Sequence, residues 1–141
     1  MEVVPFDISH FDTLDFEDRD MLSREYRATY ESFGKAGPCF TLMNNIPIFS
    51  GGIVINWPGC GSAWMLPSIH VEDHPASVYR YTEMMIKKYM EENHLHRVQA
   101  SVKADDVKAN RFVVNLGFQF EGLMRAFWTD KSDYFLYARI N

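Results

Sequence analysis

Between residues 39 and 71 three apolar, strand-like runs are joined by two short turns, and no bundle of helices can be built around them. "CFTLM" and "IPIFSGGIVIN" are separated by Asn44-Asn45, and the turn "WPGCG" leads into "SAWMLPSIHV". Asn tolerates a left-handed backbone and Gly adopts it freely, so connections this short fold neighbouring strands into an antiparallel meander. Such a meander cannot bury its apolar faces alone, and the rest of the chain has to extend or cover it. Gly51 and Gly52 fall inside the strand pattern, where a bulge, the close approach of another backbone or plain packing explains them.

The flanking segments supply that cover. "MEVVPF" is short and apolar enough for a first strand, and Leu14, Met21, Leu22, Tyr26, Tyr30 and Phe33 recur at helical steps across residues 12 to 33 before "GKAGP" breaks the pattern. Pro75 suits the first turn of a helix running to about Asn93. On it Val78, Tyr81, Met85 and Tyr89 form one row, widened by Tyr79, Ile86 and Met90. "RVQASVKA" alternates as a strand. Asp105 or Asp106 can cap the next helix, Ala109, Phe112, Val113 and Leu116 form its buried stripe, and Gly117 ends it. Two closing strands follow, with Phe118, Phe120, Gly122 and Met124 on one face of the first and Tyr134, Leu136, Ala138 and Ile140 together on the second. The order strand, helical region, three strands, helix, strand, helix, two strands predicts an α+β fold. Its sheet is mixed, mostly antiparallel and twisted, with helices on both faces.

The chain of 141 residues suits one domain, 1–141. Its 19 acidic and 14 basic residues give a net charge of -5 with no basic block, which argues against nucleic-acid binding. Lys87-Lys88 reads as a solvated helix face. Cys39 and Cys60 form no CxxC pair and read as small buried side chains. No run reaches the length of a membrane helix, and "MEVVPFDISHF" lacks the basic start of a secretory signal, so a cytoplasmic location without membrane insertion is expected.

By element order nearly the whole chain, and in specific residues the part from about residue 96 onward, resembles the GCN5-related N-acetyltransferase superfamily. Asp106 stands where the family has an Asn at a helix start, Ala109 is the small residue three later, and "NLGFQFEG" runs on to Arg125 before "DYFLYARI" as the closing strand. Within the superfamily the likeness is to the acetyltransferases of protein N-termini, such as those of ribosomal proteins. A second likeness is to small acetyltransferase-like proteins of tailed phages, some of them internal virion proteins. The resemblance implies acetyl-CoA as cofactor and a primary amine or protein N-terminus as acceptor. It implies backbone contacts to the cofactor from the strand containing Ile69 and Val71, anion binding by the amides of Ala76, Ser77 and Val78, and pantetheine support from Asp106.

Departures from the family pattern are concentrated in one loop. Where the family wraps the pyrophosphate in a glycine-rich turn, this chain has "HVEDHPASVYR", with no glycine, one donor lost at Pro75 and two acids, Glu72 and Asp73. Val113 stands where many members carry a Tyr that protonates the departing thiolate, and Val donates nothing.

His70 is the candidate general base, since a neutral imidazole accepts a proton from an ammonium directly or through water; His74 is the lesser candidate. Surface or capping roles are open to both. "HVEDH" also holds four potential ligands in a spacing that fits no zinc pattern, so no metal is expected. His94 and His96 read as connection residues, and Arg125 reads as a partner of Glu121 across strands. Trp57, Trp64, Trp128 and the many Tyr residues suit either the core or an interface, with a homodimer, a viral protein or a host protein as partner. Two functions stand: an acetyl-CoA-dependent N-acyltransferase, or an inactive descendant of the fold kept as a structural or protein-binding component.

Overall fold

In the computed structural model, which describes residues 1–141, the chain runs β1 (Glu2–Pro5), α1 (Ile8–Thr13), α2 (Arg24–Lys35), β2 (Cys39–Asn44), β3 (Ile46–Trp57), β4 (Cys60–Pro67), α3 (Pro75–Glu92), β5 (Arg97–Lys103), α4 (Val107–Asn115), β6 (Gln119–Met124) and β7 (Tyr134–Ile140). Short 3-10 turns at Arg19–Leu22 and Ile69–Asp73 precede α2 and α3. All seven strands join one sheet in the order β1-β2-β3-β4-β5-β7-β6. Every neighbouring pair is antiparallel except β4 with β5. The mixed, mostly antiparallel α+β architecture is the expected one. No helix is long and apolar enough to cross a membrane.

The two turns of the meander have the chemistry their residues suggest. Asn45 takes φ 65° between β2 and β3, and Gly59 takes φ 89° between β3 and β4. Gly51 and Gly52 are not at a bulge: the register slips lie at Leu42/Met43 and Ile55/Trp57. Close approach is the reason at Gly52, where a Cβ would stand 2.6 Å from Cys39 Cβ and 2.7 Å from Pro38 O.

The helices sort onto the two faces. Val78, Met85, Ile86, Tyr89 and Met90 of α3 and Val113 and Leu116 at α4 share the larger core with Phe40, Leu42, Phe49, Ile53, Val98, Ala100 and Val102. Phe11 and Leu14 bury with Trp64 and Leu66 on the other face, where Tyr26, Tyr30 and Phe33 of α2 pack against them. Alternation along β4 explains the split, because Ala63 and Met65 face one core and Trp64 and Leu66 the other.

Three local expectations are corrected. Residues 12 to 33 do not form one helix. Leu14 leaves α1 in extended geometry, and the Ser23 hydroxyl accepts from the Tyr26 amide to start α2 afresh, because a side-chain cap competes with helix continuation. On α3, Tyr79 is exposed and Thr82 is buried in its place. In β7, Phe135 and Tyr137 face the larger core, and Ala138 of the alternate row is buried as well. A slip between Phe120 and Gly122 in β6 sets Phe120 opposite Tyr137 and Gly122 opposite Leu136, so the expected single-face row of β6 is broken.

Candidate functional site

The single parallel pairing is the origin of the site. β4 and β5 are joined at Cys60/Arg97, Gly61/Val98 and Ser62/Gln99 and then part. β4 continues to Pro67 bonded to β3, and β5 continues to Lys103 bonded to β7. Their inner edges therefore diverge from an apex at Ser62 and Gln99, leaving the facing backbone of 63–67 and 100–103 without a strand partner. Backbone groups inside a fold call for partners, so this opening is a ready binding slot for an extended, amide-bearing group.

At the mouth the chain turns twice. Beyond β4 the Ile69–Asp73 turn leads into α3, whose first residue is Pro75 and whose cap residue His74 makes no side-chain cap bond. The first ladder bond is Val78 N–H to His74 O, at 3.0 Å, and the amides of Ala76 and Ser77 are left free at the helix N-terminus. Beyond β5, Asp106 caps α4 by accepting from the Ala109 amide at 3.1 Å.

The strand containing Ile69 and Val71 ends earlier than expected, at Pro67. Ile69 N–H donates to Asp15 O (2.9 Å) and Val71 N–H to Ser68 O (3.3 Å), so neither amide offers itself to the opening. Ser68 drives this break, its buried hydroxyl bonding Ile48 O at 2.7 Å and capping the turn through the His70 amide. Strand-edge contact falls instead to residues 63–67. His70 lies in the turn with Nε2 3.0 Å from Asp15 Oδ2, so a carboxylate orients its ring. Val113 is buried in the core.

The acids of "HVEDH" do not converge. Glu72 is paired with Lys108 of α4, whose charge and hydrogen bond hold its carboxyl below the usual range, and no group of three or more His, Cys, Asp or Glu stands close enough to hold a metal. This ion pair spans the mouth from the β4 side to the β5 side, and the expected like-charge patch is thereby half neutralised. Nothing in the local spacing of Lys108 announces it. Glu121 likewise pairs not with Arg125 but with Arg97, which reaches it in two bonds of 2.6 and 3.0 Å. Arg125 makes no ion pair.

Asn110 is a positioning residue the sequence reading passed over. Its Nδ2 donates to Lys103 O (3.0 Å) and Asp106 O (2.7 Å), and its Oδ1 accepts from Tyr137 Oη at 2.6 Å. One side chain thus ties the end of β5, the start of α4 and β7. An Asn one turn after a capping Asp is the only signal, and it is a weak one.

On the α2 face the β6–β7 connection docks through Trp128. The indole stacks on Tyr26 at 6.1 Å between centroids and 11° between planes, and its N–H donates to Tyr26 Oη at 3.2 Å. Tyr30, deeper in the same layer, is pushed up to about 12 by burial, with Tyr134 and Tyr26 adding to the shift, and stays a neutral phenol. At the apex a cavity of about 270 Å³ lies between α2, β3 and β4.

No family model and no curated sequence matches the chain. Solved structures match it along its length. A spermidine N-acetyltransferase chimera from Vibrio cholerae and the human enzyme gives a TM-score of 0.76 at 11% identity, covering 99% of this chain and 96% of that one. The ribosomal-protein-S5-alanine acetyltransferase of Vibrio fischeri gives 0.73 at 13%, covering 99% and 92%. A GNAT family acetyltransferase of Elizabethkingia anophelis with acetyl-CoA bound gives 0.75 at 10%, covering 99% and 97%. At this level of identity the likeness is one of fold, and the chain has the fold of the GCN5-related N-acetyltransferases.

Proposed function

We propose that the protein transfers an acetyl group from acetyl-CoA to a primary amine. The observation that carries this is the parting of β4 from β5 beyond Ser62 and Gln99, which leaves both inner edges without a strand partner. The cofactor fits the donors present. The inner edges suit the amides of pantetheine, and the free amides of Ala76 and Ser77 at the N-terminus of an 18-residue helix suit its pyrophosphate. The Glu72–Lys108 pair crosses this path, but both side chains are mostly exposed, at 68% and 81%, and such pairs open readily. When bound, acetyl-CoA supplies an acyl carbon already activated as a thioester.

The chain's own groups then bind, orient and move a proton. Residues 63–67 hold the acyl end beside the apex, where orientation contributes most of the rate. Asp106 shapes the start of α4 beside the slot. The ammonium gives up one proton before it attacks and a second as the new N–C bond forms and the C–S bond breaks; the departing sulfur takes up one, and the other is released to solvent. His70, held through Nε2 by Asp15, is the acceptor group proposed for the first. It stands beyond the end of β4, which is itself about 10 Å from Trp64 at roughly 3.3 Å per residue, so the proton reaches it through a chain of waters. His70→Gln is expected to lower turnover about tenfold at neutral pH, with the deficit closing as pH rises and the amine deprotonates in solution. A pH-rate profile that stays parallel to that of the parent protein would remove His70 from the mechanism.

Calorimetric titration with acetyl-CoA, CoA and 3′-phospho-ADP tests the cofactor. Micromolar affinity is expected. Ser77→Asp should weaken it about tenfold while leaving the helix folded, since a carboxylate in the first turn favours the helix and repels phosphate. Glu72→Gln should tighten it several-fold by freeing Lys108.

A second reading is favoured by the same ion pair and by the glycine-free loop: a protein of this fold that binds a partner without turnover, as a structural or interaction component. No binding at millimolar acetyl-CoA by folded protein would make this reading the surviving one.

A further inference from the structure

We infer that the acceptor is a primary amine borne on an uncharged, largely apolar group rather than on a polycation. This rests on the transfer reading above. The apex cavity, about 270 Å³, is walled by Phe33 of α2, Val54 and Asn56 of β3, and Ser62, Ala63 and Trp64 of β4. Ser62 is the last residue paired to β5, so the cavity opens beside the point where an acyl group in the slot would end.

The chemistry of the wall selects the occupant. None of the six residues is charged, and four are apolar, two of them aromatic. An ammonium beyond the reacting amine would be desolvated here with no carboxylate to pair it. An alkyl or aromatic group gains about fourfold in affinity for each methylene it buries. The polar part of the wall is small and directional. Ser62 Oγ–H donates to Asn56 Oδ1 at 2.8 Å, which leaves the Asn56 amide N–H groups to donate to a carbonyl or hydroxyl oxygen on the ligand. The cavity has room for a side-chain-sized group. A free arylalkylamine and a peptide with an apolar first residue present this same chemistry.

Calorimetry with 2-phenylethylamine, a leucine-initiated tripeptide amide and spermidine, with and without CoA, tests the inference on the intact protein. Mass spectrometry after incubation with acetyl-CoA gives a second readout. At least one apolar amine is expected to bind about tenfold or more tighter than spermidine, and the ratio between the two apolar ligands tells a free amine from a peptide acceptor. Val54→Phe, which fills the cavity, should weaken that binding about tenfold. Phe33→Ala, which widens the cavity, should shift preference toward tryptamine, and it serves where the larger side chain prevents folding. Equal or tighter spermidine binding, no binding by either apolar ligand, or affinities blind to both substitutions would overturn the inference. Apolar binding without acetylated product leaves the cavity assignment standing and removes the transferase reading. Acetylated spermidine does the reverse.

Discussion

Gly37→Ala is expected to destabilise the fold by about 3 kcal/mol, a large share of what a domain of this size possesses. Ahead of β2, residues 36–38 run along β3, with Ile53 N–H donating to Pro38 O and Ile55 N–H to Ala36 O, both at 3.0 Å. A Cβ at Gly37 would collide with the Ile53 carbonyl oxygen. The obstacle is backbone, not a flexible side chain, so relief requires moving residues 36–38 away from β3. Gly122→Ala is the control, since no atom lies within 4 Å of its added Cβ; a change within about 0.5 kcal/mol is expected. Urea midpoints at unchanged slope measure both, and equal midpoints for the two variants would refute the account.

Arg139→Met is expected to cost about 2 to 3 kcal/mol at neutral pH. From β7 this guanidinium donates to Glu83 Oε2 of α3 at 2.9 Å and to Leu116 O, at the end of α4, at 2.9 Å. The pair is mostly buried, with side chains 17% and 23% exposed, so removing the cation strands a helix-end carbonyl and leaves the carboxylate with the more exposed Lys87 as its one cation. Burial by itself would raise the Glu83 carboxyl, but the bonds and charges of Arg139 and Lys87 outweigh it and hold the group below its usual 4.5. A depressed carboxylate stabilises the folded state fully above its unfolded value and loses that contribution as pH falls through the folded one. The gap between parent and variant should therefore narrow as pH falls below about 4.5, leaving the part owed to Leu116. A gap constant from pH 7 to acid would show that packing, not charge, is what Arg139 supplies.

Much of this architecture is legible in the residues because local chemistry and the global fold agree. Asn45, Gly59 and Gly117 mark left-handed positions, Pro75 opens α3, and Asp106 caps α4, each for a reason contained within a few neighbours. The helix expected over residues 12 to 33 fails on a competition that periodicity does not see, the side-chain caps at Asp18 and Ser23. The site is less legible still, because its parts meet only through the sheet. Asp15 finds His70 across 55 residues, and Lys108 finds Glu72 across 36. The strand pattern of "SAWMLPSIHV" overruns the strand itself for the same reason: Ser68 bonds the Ile48 carbonyl, and that tertiary bond turns the chain before Ile69.

The position of β7 has a consequence for how the molecule is made. The last strand in sequence does not lie at the rim but between β5 and β6, its neighbours on either side. During synthesis, then, β5 and β6 emerge from the ribosome with no strand to join them, and each presents an open edge while the chain is still growing. Completion of the sheet waits for Tyr134–Ile140 to slot into an interior place. Until it arrives, the edges of β5 and β6 that will flank it stay unpaired.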